Sequence, residues 1–94
     1  MLSLIPQNIS KLSKLDLDKE LLRAGMIAEL DAISLYEQLS AMTANKDLKK
    51  VFLDVAKEEK THVGEFQALL LQLDKEQKDE LMHGDREVKE LVSQ

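Results

Sequence analysis

A chain of 94 residues carrying a net charge of −5 has room for one small domain and lacks the basic stripe of a nucleic-acid binder. The absence of cysteine excludes disulfides, zinc fingers and iron–sulfur clusters, and it fits a reducing compartment such as the cytoplasm. Scarce aromatic residues, with glycine and proline almost as rare, favour helices over a sheet, and no stretch approaches the ~20 apolar residues of a membrane span.

Residues Met1 to Leu15 read as an irregular or partly helical arm, because Pro6 argues against a helix running through it. The arm shows no charged region followed by a long apolar run, so no secretory signal is expected. Asp16 or Asp18 is the expected cap of a first long helix from about Leu17 to Thr43, some ~40 Å in length. Gly25 lies inside this helix at a cost in stability, for which close packing is a reason. Ala44-Asn45-Lys46-Asp47 breaks the pattern, with Asn45 or Asp47 capping a second long helix from about Asp47 to Gln72. So short a loop returns the second helix antiparallel to the first. Asp74-Lys75-Glu76-Gln77 resembles a capping box and opens a short third helix to about Met82. His83-Gly84-Asp85 is expected to end it, with Gly84 as the terminating residue, before a last turn or two from Arg86 to Val92.

The expected fold is therefore all-α: one domain spanning 1–94, with an arm (1–15), a long antiparallel two-helix hairpin (17–72) and a C-terminal appendage of short helices (74–94). Apolar residues recur by fours and threes along both long helices. Leu22, Met26, Glu29, Ile33, Tyr36 and Ser40 form one stripe. Leu48, Phe52, Val55, Glu59, His62, Phe66, Leu69 and Leu73 form the other. Two helices cannot hide stripes of this length, and the simplest cover is a second copy of the chain.

The ionisable carboxylates and imidazole that interrupt the two stripes are those of Glu29, Glu59 and His62. A lone ionised carboxylate is costly to bury, so such groups are paired, protonated or metal-bound. Glu59 and His62 form Glu-x-x-His, whose heads share one side of one helical turn. Di-iron carboxylate bundles draw one Glu from each of two helices and one Glu-x-x-His from each of the other two. This chain holds half of that set, which a two-fold homodimer completes. Four carboxylates then offset the charge of two ferrous ions, and carboxylate with imidazole suits iron, manganese or zinc. Glu-x-x-His alone also arises by chance on exposed helix faces. A purely structural reading makes Glu29 and Glu59 rim residues and His62 a satisfied core histidine.

Asp31 and Glu58 lie just off the stripes. They read either as solvated partners of lysines or as an outer acidic site that hands iron inward. Tyr36, on the stripe beyond Glu29, reads as a core aromatic or as a hydrogen-bond donor to a ligating carboxylate. Glu65 reads as a surface partner for lysine, and His83 as a helix-end residue favoured by the dipole.

The stretches Ala28-Glu29-Leu30-Asp31-Ala32-Ile33-Ser34-Leu35-Tyr36-Glu37-Gln38 and Ala56-Lys57-Glu58-Glu59-Lys60-Thr61-His62 resemble the encapsulated ferritin-like proteins. The resemblance implies a two-helix protomer that builds a ferritin-like four-helix bundle, and its di-iron site, only across a homodimer interface. It further implies a ring-shaped decamer assembled from such dimers, oxidation of Fe(II) to Fe(III), and iron storage inside an encapsulin nanocompartment in the cytoplasm. Glu29, Glu59 and His62 match the family's iron ligands, Glu58 and Asp31 its outer acidic site, and Tyr36 a residue beside the iron. Ala28 and Leu35 depart from members that carry an acid and a tryptophan there. Members usually carry a shell-targeting tail or are fused to the shell protein, whereas this sequence stops at Gln94 in a helical pattern, as a domain of a fused or longer protein would. Two other functions compete with a ferroxidase. A rubrerythrin-like peroxidase would need an electron-donating partner or a cysteine-bound iron. A non-catalytic dimerisation module would use the buried acids and histidine to fix register.

Overall fold

The structure, a computed structural model, describes residues 13–93. Helix α1 covers Lys14–Met42, α2 covers Lys46–Leu73 and α3 covers Lys75–Val92, with no strand among the described residues. The fold class is all-α, as expected. Residues 1–12, most of the proposed N-terminal arm, lie outside the described residues.

Each helix starts where a short polar side chain can satisfy its first free N–H groups. Ser13 Oγ accepts from the Asp16 amide at 3.1 Å, so α1 begins three residues earlier than the Asp16 and Asp18 signals suggest. Asn45 Oδ1 accepts from the amides of Asp47 and Leu48 at 2.9 and 3.1 Å. Asp74 Oδ1 accepts from the Gln77 amide at 3.0 Å. The full reciprocal capping box does not form, because the Asp74 amide instead donates to the Leu70 carbonyl at 2.9 Å.

The C-terminal appendage differs from expectation. The short helix ending at Gly84 and the separate last turn are one continuous helix, α3. Gly84 has no positive φ and so is an ordinary helical residue. His83 is not at a helix end. Its Nδ1 lies 3.1 Å from Glu80 Oε2 and its Nε2 3.0 Å from Glu87 Oε1. One imidazole thus ties the turn before Gly84 to the turn after it, and a Lys89–Asp85 pair at 2.8 Å adds a second tie. Such i,i+3 and i,i+4 contacts each add a few tenths of a kcal/mol, together enough to offset a glycine.

α1 and α2 pack as an antiparallel hairpin. Near the loop, Ser40 Oγ donates to the Lys49 carbonyl at 3.3 Å and Lys49 Nζ donates to the Ser40 carbonyl at 2.8 Å. That exchange satisfies Ser40, the buried polar residue on the stripe. At the far end, Arg23 reaches Glu20 on its own helix and Asp74 Oδ2 at the start of α3, both at 3.2 Å. Ile33, Ala56 and Leu70 form a small buried core. Around it Leu30, Leu35, Leu48, Leu53 and Leu69 stay about half exposed, and α3 buries no residue at all. The Cα radius of gyration is 16.9 Å, against about 12 Å for a compact chain of this length. One protomer therefore leaves much of its apolar surface uncovered.

Candidate metal centre

Glu29 sits at mid-length of α1, and Glu59 and His62 stand one turn apart on α2. The antiparallel register sets Glu29 opposite His62. His62 Nδ1 lies 3.5 Å from Glu29 Oε2 and 3.6 Å from Glu59 Oε2. One ligand atom from each of the three side chains lies within 4.8 Å of the other two. No other such trio of metal-binding side chains forms among the described residues. The two carboxylates are 20% and 18% exposed and the imidazole 43%. The acids are thus mostly turned inward, and the imidazole is partly open to solvent.

Glu29 Oε2 is buried and has no hydrogen-bond partner. The nearby His62 Nδ1, 3.5 Å away, makes no hydrogen bond to it. An acid oxygen left in this state is costly, and a cation bound between the three side chains would satisfy it. Two carboxylates and an imidazole, with no thiolate, form a donor set that accepts iron. The residues therefore fit a divalent transition metal.

The other residues singled out in the sequence take up different positions. Asp31 and Glu58 are exposed, off the inward-facing cluster. Tyr36 stacks on Phe52 with ring centroids 6.4 Å apart and an interplanar angle of 23°. Its hydroxyl does not serve Glu29 Oε2. Glu65 is exposed, and Glu37 pairs with Lys60 at 3.2 Å on the outer face. Phe66, on the α2 stripe one turn beyond His62, lays its ring over Gly25 of α1; its stripe position and the close packing at Gly25 were each legible in the sequence, but not that the two residues meet.

A family model described as rubrerythrin matches residues 20–92. The crystal structure of the encapsulated ferritin domain from Pyrococcus furiosus superposes with a TM-score of 0.85 at 50% identity, covering 100% of this chain and 98% of that one. The chain belongs to the encapsulated ferritin-like family. A ferritin-like-encapsulin shell fusion protein from the same organism is 59% identical over 73 residues, which are 78% of this chain and 21% of that protein. The chain thus spans about a fifth of the length of that fusion relative.

Proposed function

We propose that this chain is a ferroxidase whose di-iron centre is built from Glu29, Glu59 and His62 of two protomers. The observation that carries the proposal is the half-complete ligand set, with Glu29 Oε2 buried and unsatisfied. Two copies related by a two-fold axis would bring four carboxylates and two imidazoles together, the composition of a di-iron bundle. The stripes that hold these residues are the surfaces such a dimer would bury as a four-helix bundle.

The protein's part is to bind and orient. Glu29 and Glu59 supply negative charge from a mostly buried position, where it acts more strongly than in water. His62 turns Nδ1 toward both carboxylates. As the tautomer protonated on Nε2, it offers the Nδ1 lone pair to the metal and keeps its N–H outward. Bound iron supplies the one-electron step from ferrous to ferric, with oxygen or peroxide as oxidant. Asp31 and Glu58, solvated and off the cluster, hold hydrated iron on its way in, and Tyr36, two turns further along α1, tunes the centre.

A helical hairpin with one appended helix encloses no space for mineral, so the oxidised iron is stored elsewhere. The fusion relative carries an encapsulin shell in its name. That kinship supports delivery of the product into an encapsulin nanocompartment; a ring-shaped decamer of these dimers, in the cytoplasm, is the assembly proposed to deliver it. The test is ferrous oxidation followed by absorbance, beside the iron content of the purified protein. Wild type should bind and oxidise iron, while Glu59→Ala and His62→Ala should lose bound iron and most of the oxidation. Normal oxidation by either variant would show that these are not the ligands.

A further inference from the structure

Glycine in the middle of a helix is destabilising relative to alanine, so Gly25 in α1 needs a reason. A Cβ placed there would lie 3.3 Å from Phe66 Cδ2 and Cε2 and 3.7 Å from Cζ, whereas at Gly64 and Gly84 it would meet nothing within 4 Å. Gly25 is thus the glycine whose missing side chain admits a neighbour. Gly25 is one turn before Glu29, and Phe66 is one turn after His62. In the antiparallel hairpin, the Gly25–Phe66 contact is therefore the layer directly beside the Glu29–His62 layer.

We infer that Gly25 is a positioning residue for the metal centre: it is the notch that seats the Phe66 ring and so sets the distance at which Glu29 of α1 meets His62 of α2. The inference rests on the proposed metal-binding role of these residues. A methyl group at Gly25 would force the Phe66 ring to give by a few tenths of an ångström, and on this inference the local spacing of α1 and α2 moves with the ring. Metal–ligand distances tolerate about ±0.2 Å. The two lengths are of the same order, so one methyl group reaches the ligands even though it touches none of them. Removing the ring errs in the opposite sense, because an emptied notch lets the two helices settle without a spacer.

The experiment is calorimetric titration of the metal-free protein with cobalt(II), an air-stable stand-in for ferrous iron, with helix content followed by circular dichroism. Gly25→Ala should keep its helix content and bind cobalt about tenfold more weakly. Phe66→Leu should also weaken binding. The double variant should bind more tightly than either single one, since the added methyl fills the space the ring vacates; such non-additivity marks residues in contact. Gly64→Ala, two residues from His62, should leave affinity unchanged while raising thermal stability. If Gly25→Ala binds cobalt as wild type does, the positioning role is overturned. It is equally overturned if adding Gly25→Ala to Phe66→Leu gives no recovery, a comparison that stands even if Gly25→Ala alone does not fold. Failure of wild type to bind cobalt at all would overturn the metal reading itself, and this inference with it.

Discussion

A buried acid oxygen without a donor raises the energy of the metal-free protein, and Glu29 Oε2 is such an atom. Replacing it with an apolar side chain of similar length removes that penalty. Glu29→Met should therefore stabilise the metal-free protein by about 1 kcal/mol, a rise of about 4–8 °C in melting temperature. Added iron should stabilise wild type and leave the variant unmoved. Thermal scans with and without ferrous iron under argon check both halves; a lower melting temperature in the variant would mean that Glu29 has a partner in solution. Asp31 and Glu58 call for a kinetic test, because exposed acids act weakly and are screened by salt. Each changed to Ala should slow stopped-flow iron oxidation at low ionic strength and match wild type at high ionic strength. Identical rates at every salt concentration would assign both to an ordinary solvated face. The three clustered residues were legible in the sequence because they interrupt apolar stripes, and burial makes such interruptions expensive. The Tyr36 hydroxyl was not legible. A stripe position fixes the side on which a ring lies, while its packing partner, here Phe52, decides where the hydroxyl goes.

Among the elements, α1 and α2 follow the periodicity of their apolar residues closely, and the cap at Asn45 is a local signal read directly from the sequence. α1 starts three residues before the expected position because Ser13, Asp16 and Asp18 are all competent caps within six residues. The α3 error has a different origin. Gly84 is a strong stop signal when considered alone, but the Glu80–His83–Glu87 tie crosses it. The expected outcome for His83→Ala is faster amide hydrogen exchange in the turns after Gly84, with α1 and α2 unaffected. The exposed setting limits the loss to about 0.5 kcal/mol. Unchanged exchange in those turns would show that the helix persists without the tie. The Arg23–Asp74 contact joins residues 51 apart in sequence. No local pattern announces it, although it anchors the α3 cap to α1.

For the whole molecule, the decisive fact is what one copy leaves uncovered. Half-exposed leucines flank a small core, and the proposed ligand set stops at half of a di-iron site. Hairpin and stripes were readable from periodicity, but the angle at which α3 leaves the hairpin was not, since it depends on long-range contacts such as that of Arg23 with Asp74. On the proposed reading, a second copy packed against the hairpin would cover exposed leucines and complete the ligands in one step, and metal bound between protomers would then link iron to assembly. The most direct test of the shared centre is the mass of the protein in solution, by light scattering or native mass spectrometry, with and without ferrous iron under argon. The account predicts a dimer or a larger even-numbered assembly that ferrous iron tightens. A stable monomer under both conditions would contradict it.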